Sequence, residues 1–307
     1  MSHLCWQRGD GHRAFVASGV WTVEGPLILP VGMALHIAAG TTLRFTEDAC
    51  LIVRGKIIAK GTREAPIEFS PWKDKWKGLY ILGAVEKSIL SHVRIRDTDF
   101  LTLGVLQLTG GVTFYKSDVE IFHSLFDGST AEDALNIVHS EFLIADSVFK
   151  KSRSDAFDSD FSDGVIMNTV FDESGGDGLD LSGSKVEARN LSFMRIKDKG
   201  ISVGENSLLT AESITATKSG SAIVSKDGSR VRIDDLHVSE SQGYAAMAYA
   251  KKSVYGPARL EIVNSNLGPG NVLNQHGSNF RLEGRQILTQ DLDVDALYGA
   301  GQMKKIN

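Results

Sequence analysis

An all-β solenoid, a single right-handed parallel β-helix with 22-residue coils, is the fold class the sequence predicts. Three observations predict it. A motif recurs every 22 residues through the middle of the chain, apolar and polar residues alternate inside each repeat, and the turns use Gly, Asp, Asn and Ser, with 31 Gly against 6 Pro in 307 residues. Helical repeats need roughly 33 to 47 residues per unit, whereas roughly 20 to 29 suits a leucine-rich repeat or a β-helix coil. The leucine-rich L-x-x-L-x-L-x-x-N pattern is absent.

From the N-terminus, Met1 to Gly19, with Trp6 and Phe15, is expected to cap one end, because terminal repeats must cover an open core. Short apolar segments follow at Leu27-Ile28-Leu29, Leu35-His36-Ile37, Thr42-Leu43-Arg44-Phe45, Leu51-Ile52-Val53 and Ile57-Ile58-Ala59, punctuated by Gly32, Gly40, Gly55 and Gly61. Trp72, Trp76 and Tyr80, with Lys73, Lys75 and Lys77 among them, read either as an aromatic and basic contact patch or, more simply, as one more coil strand with a charged outer side.

The runs Pro30-Val31-Gly32-Met33-Ala34-Leu35, Ala39-Gly40-Thr41-Thr42-Leu43-Arg44-Phe45, Leu51-Ile52-Val53-Arg54-Gly55-Lys56-Ile57-Ile58-Ala59-Lys60-Gly61-Thr62 and Pro66-Ile67-Glu68-Phe69 resemble the opening of bacterial right-handed β-helix proteins of the pectate-lyase-like superfamily. The resemblance covers residues 20 to 265 as architecture. It implies an extracellular or surface-attached protein and a fold, but no single reaction, because that fold hosts lyases, hydrolases, epimerases, adhesins and phage tailspikes.

The middle of the chain carries the strict repeat. Asp133-Ala134-Leu135-Asn136, Asp155-Ala156-Phe157-Asp158, Asp177-Gly178-Leu179-Asp180, Lys199-Gly200-Ile201-Ser202 and Ser221-Ala222-Ile223-Val224 follow one another at a constant step of 22 residues. A second strand keeps pace, from Phe142 to Phe149, Gly164 to Phe171, Val186 to Phe193 and Leu208 to Thr215. The expected β-helix spans residues 20–267, leaving 268–307 as a C-terminal cap or tail, and no Gly-, Ser- or Pro-rich linker separates two domains.

Parallel strands lie about 4.8 Å apart, so a repeat position becomes a column. The first position gives Asp133, Asp155, Asp177 and Lys199, the fourth Asn136, Asp158, Asp180 and Ser202, and small residues run between them. If Leu135, Phe157, Leu179 and Ile201 point inward, alternation places the small column and the fourth-position residues outside, with Asp160 and Ser182 on the same face. The first-position acids have core parity and are expected at the turn into the strand. Two carboxylates about 4.8 Å apart repel by roughly 3.5 kcal/mol at an effective dielectric of about 20. Relief can come from water, a shared proton, a Ca²⁺ ion, or a base such as Arg153, Lys197 or Lys199.

These columns are the candidate site of a protein that binds or processes a polysaccharide. Asp158 and Asp180 are the candidate catalytic carboxyls with Lys199 as base, Asp160, Asn136, Ser182 and Ser202 the candidate substrate contacts, and Asp155 and Asp177 the candidate ligands of Ca²⁺. As an enzyme the chain would be a lyase, epimerase or glycoside hydrolase. The alternative is a non-catalytic surface or adhesive module, in which the Asp ladder is only turn chemistry.

Other classes find no support. A net charge of -5 argues against nucleic acid, no apolar run is long enough to span a membrane, and Met1 to Ala14 shows no signal peptide. Cys5 and Cys50 stand alone, His123 and His139 are isolated, and no P-loop, G-x-S-x-G or H-E-x-x-H motif occurs.

Overall fold

The computed structural model describes residues 7–8 and 12–299, so the expectations resting on Cys5 and Trp6 lie outside the described residues. The chain forms the predicted β-solenoid and divides into two compact units, Met1–Ser154 and Asp155–Asn307.

In the first unit, strands Leu27–Leu29, Leu51–Val53, Leu79–Leu82 and Val112–Tyr115 stack in parallel, and Thr113 pairs with Asn136 of strand Asp133–Val138. The steps are 24, 28, 33 and 23 residues, which explains why no strict repeat is visible here. The longest coil contains an antiparallel hairpin, Leu101–Leu103 with Leu106–Leu108, laid over Cys50, Ile52 and Tyr80. Parallel stacking begins at Arg13–Val16, so the solenoid reaches into the expected cap. Trp76 and Tyr80 are fully buried, which removes the aromatic patch: Trp76 stacks on Phe45 at 3.9 Å and donates from Nε1 to the Arg96 carbonyl at 2.8 Å. Of the three rings only Trp72 is exposed, beside the Arg44 guanidinium. Cys50 is buried too, and burial pushes its thiol up to about 11.

The second unit holds the strict repeat, with two faces that matter here. One stacks Asp155–Asp160, Leu179–Ser182, Lys199–Gly204, Ser221–Lys226, Tyr244–Tyr249 and Asn271–Asn274. The other stacks the long strands Asp163–Ser174, Lys185–Met194, Leu208–Thr217, Arg230–Ser239, Arg259–Asn266 and Asn279–Leu282. The coils therefore continue past the expected boundary at residue 267. The first five of these strands each bend at a left-handed residue, Asn168, Asn190, Ser213, Asp235 or Asn264, mostly the Asn and Asp that tolerate this region best. The Asn190 amide donates to the Asn168 side-chain oxygen at 2.9 Å, so the bend is also a hydrogen-bonded column. At another corner the hydroxyls of Ser184, Ser207 and Ser229 accept the backbone N–H groups of Ser162, Ser184 and Ser207 in the preceding coil. Inside, Phe171 and Phe193 stack with centroids 4.8 Å apart, matching the strand spacing. No helix of the described residues is long and apolar enough to cross a membrane.

Candidate functional site

The shorter sheet of the second unit carries the Asp columns. Asp158, Asp180, Ser202, Val224, Met247 and Leu273 align in register on its outer side, and Asp160 aligns with Ser182. Of the fourth-position residues, Asp158 and Asp180 are half-exposed, whereas Ser202 is buried. The small strip does not face outward as expected. A Cβ on Gly178 would lie 2.6 Å from Phe193 Cδ1 and 2.7 Å from the Gly200 carbonyl oxygen, and Phe193 is core, so the strip tucks inward. Regular alternation starts only after this turn, and the turn sends the first-position side chains out beside Asp180.

There the carboxylate oxygens of Asp155, Asp177 and Asp180 come within 4.8 Å of one another. The Asp155 Oδ1 accepts the Asp177 backbone N–H at 2.7 Å, and the Asp177 Oδ1 accepts the Lys199 N–H at 3.0 Å, one coil handing its carboxylate to the next. Lys199 Nζ lies 3.1 Å from Asp177 and 2.6 Å from Asp198. Lys226 Nζ donates to the Ser202 hydroxyl at 2.7 Å and stands 3.7 Å from Asp180. The Lys226 stem runs over Gly204, where a Cβ would meet its Cε at 2.8 Å. Any larger residue at 204 would push the ammonium away.

The C-terminal segment closes part of this face. Helix Val294–Gly299 and the residues before it set Leu292, Val294, Leu297 and Tyr298 against Val224, Met247, Tyr249 and Leu273. The Tyr249 and Tyr298 hydroxyls share a hydrogen bond, and Lys251 Nζ sits 3.9 Å from the centroid of the Tyr298 ring. Asp177 and Lys199 are left 4% and 3% exposed, and Ser202 is fully buried. This corrects three expectations. Ser202 is occupied by Lys226 and closed to a glycan. Asp177 belongs to an internal ion cluster, not an open ladder. Lys199 is a fixed cation rather than a base: burial opposes its charge, but Asp177 and Asp198 outweigh burial and hold its pKa above the ordinary value.

The remaining charges follow from the same geometry. Burial pushes the Asp177 carboxyl up to about 8, against the pull of Lys199 and with help from Asp155, Asp198 and Asp180. One ammonium shared with Asp198 does not neutralise four carboxylates. For Lys226, burial again opposes the charge, and Asp180 leads the groups that raise its pKa to about 12. Asp158, Asp160, Asp180 and Ser182 stay half-exposed. Asn136 belongs to the first unit and is 8% exposed.

The donor set does not suit Ca²⁺, which takes six to eight oxygens. Asp155, Asp177 and Asp180 converge, but both Asp177 oxygens already face Lys199 Nζ, at 3.1 and 3.4 Å, and a second ammonium lies beside Asp180. Sequence reasoning missed Lys226, Asp198, Tyr249 and Tyr298. Only Lys226 had a signal, since it sits one 22-residue step from Gly204.

Comparison with known proteins agrees with this architecture. The solved structures that resemble the chain include the periplasmic alginate epimerase AlgG (TM-score 0.55, 9% identity, 94% of this chain and 80% of that one). Tailspike protein 2 of the Escherichia coli bacteriophage CAB120 resembles it with a TM-score of 0.52 at 12% identity, over 90% of this chain and 43% of that one. The Agl-KA catalytic domain does so with a TM-score of 0.51 at 10% identity, over 87% of this chain, which spans 62% of that domain. No curated protein matches the chain in sequence. The family described as right-handed β-helix region matches residues 133–287, half of the sequence, and the chain belongs to that family.

Proposed function

We propose that the second unit binds a polysaccharide along the open, Asp-lined part of its shorter sheet and processes it with the carboxyl groups of Asp158 and Asp180. One observation carries this reading: Asp158 and Asp180 are in-register neighbours on an outward, half-exposed face. Strand spacing sets their backbones about 4.8 Å apart, near the separation of about 5–5.5 Å that lets one carboxyl act as nucleophile and the other as acid. Lys226, 3.7 Å from Asp180, supports Asp180 as the nucleophile and leaves Asp158 as the acid in this reading. Asp160 and Ser182, in register on the same face, would contact the glycan alongside. Lys199 and Asp177 support the face from beneath and do not touch substrate.

The likeness to an alginate epimerase and to a tailspike supports a glycan as ligand, and the periplasmic setting of AlgG supports an exported protein. In this reading the buried ammonium groups replace a metal, so calorimetric titration with Ca²⁺ is expected to give no binding.

The test is a glycan panel scored for both binding and chain cleavage or epimerisation, with Asp158→Asn/Asp180→Asn alongside. The wild type is expected to bind and turn over one glycan class. The double variant is expected to lose at least a hundredfold in turnover, in keeping with a general acid–base contribution of about 10²–10⁴, while its thermal melt stays within a few degrees. Unchanged turnover would remove both residues from the mechanism. Binding without turnover by the wild type would leave the non-catalytic module in its place.

A further inference from the structure

At the starts of its strands, the longer sheet of the second unit carries a local excess of positive charge. Its outer side forms a groove of ≈510 Å³ lined by the starts of five adjacent strands. Register aligns Lys185, Leu208, Arg230, Arg259 and Asn279 in one column and Glu187, Thr210, Arg232, Glu261 and Arg281 in the next. The two carboxylates in the groove are already committed, Glu187 to Arg189 at 4.0 Å and Glu261 to Arg232 at 2.8 Å. Among the described residues, no carboxylate lies within ion-pairing distance of Lys185, Arg230, Arg259 or Arg281. Arg230 and Arg259 are direct in-register neighbours, an arrangement that repels itself unless an anion lies between or over them. In a protein of net charge -5, four uncompensated cations in one groove form a local reversal of sign.

We infer that this groove binds a carboxylated polysaccharide, a uronic-acid polymer, through Arg230, Arg259 and Arg281 with Lys185 at its edge. Guanidinium groups pair with carboxylates in a two-pronged geometry that an ammonium cannot match. Arg230, Arg259 and Arg281 come from three successive strands about 4.8 Å apart, comparable to the length of one sugar ring in an extended glycan, so a chain crossing these strands meets one guanidinium per coil. No aromatic ring lines the groove, which argues against single-stranded nucleic acid, whose binding relies on base stacking. The choice of a glycan over other polyanions rests on the function proposed above. The groove itself is a second surface, distinct from Asp158 and Asp180.

Calorimetric titration of the full chain with oligogalacturonate, and with a neutral oligoglucan as control, tests this. Arg230→Gln/Arg259→Gln changes only exposed side chains and is expected to keep the fold. Affinity for oligogalacturonate is expected to fall by about tenfold or more in this variant and to weaken steeply with salt in the wild type. Equal affinity in Arg230→Gln/Arg259→Gln, absence of binding by the wild type, or equal binding of the neutral glucan or of single-stranded DNA would overturn the inference. Loss confined to Asp158→Asn/Asp180→Asn would overturn it too, while leaving the acidic face as the glycan site.

Discussion

Replacing Lys199 by Met keeps the length and apolar stem of the side chain and deletes the ammonium held 3.1 Å from Asp177 and 2.6 Å from Asp198. Breaking a buried ion pair by removing one partner costs about 3–5 kcal/mol, because the other charge stays buried without compensation. Asp177 has a second course open to it. Burial already pushes its carboxyl up to about 8, and loss of the ammonium raises it further. At pH 5 the variant therefore holds a neutral carboxyl, and the cost drops toward the roughly 1–3 kcal/mol of an unsatisfied buried polar group. At pH 9 the carboxylate must stay charged or take a proton against the bulk pH, and the larger figure applies. One kcal/mol shifts Tm by roughly 2–4 °C for a unit of about 150 residues. The expected loss is then roughly 6–20 °C at pH 9 and about 2–12 °C at pH 5. Circular-dichroism melts of the full chain at both pH values read this directly. A Tm equal to wild type, or a loss greater at pH 5 than at pH 9, would refute the account of Lys199 as the cation that makes Asp177 tolerable.

Three further outcomes are expected. In the wild type, Asp177 binds its proton more tightly folded, at about 8, than in the unfolded chain, at 3.8, so its contribution to stability declines as pH rises between those values. Urea midpoints should show a fall from pH 5 to pH 8 that is absent from Asp177→Asn; the same fall in that variant would assign it elsewhere. Gly178→Ala puts a methyl group 2.6 Å from the Phe193 ring and should destabilise by about 1–3 kcal/mol, read as a lower urea midpoint. Trp76→Ala removes the ring stacked on Phe45 and should cost about 3–5 kcal/mol in a melt of the first unit, where an exposed contact residue would cost almost nothing.

The repeat made the fold legible because in-register stacking translates sequence position directly into a column, and a step of 22 residues survives only if every coil closes in the same way. Where coils differ in length, as around the Leu101–Leu108 hairpin, the same geometry leaves no fixed period to read. Asp158 and Asp180 were legible for the same reason. What alternation could not reveal is the turn at Asp177-Gly178, where backbone direction changes before the strand begins and the parity rule reverses for two positions. Burial of Lys199 and Ser202 was also hidden, since it depends on Tyr298 reaching Tyr249 from 49 residues away in a segment with no periodic signal. Lys226 escaped notice because it reaches across the empty place of Gly204, its own column's preceding member, to Ser202 and Asp180 in the neighbouring column.

Stacking also explains why the acidic columns stop. A coil duplicated with its aspartates would place like charges beside one another without limit, and each added coil would bring a further repulsion of roughly 3.5 kcal/mol at an effective dielectric of about 20. Here the column of first positions passes from Asp155 and Asp177 to Lys199 and then to Ser221, and the outer column from Asp158 and Asp180 to Ser202 and then to Val224. The acids give way first to a cation and a small polar residue, and then to the apolar surface that the C-terminal helix covers. The face is thus graded from open and acidic to covered and apolar within a few coils. Lys199 and Lys226 stand at the change, each turned back toward the acids of the preceding coils. That gradient would confine any glycan contact on this face to Asp158, Asp160, Asp180 and Ser182, because beyond them the sheet is already in contact with its own chain.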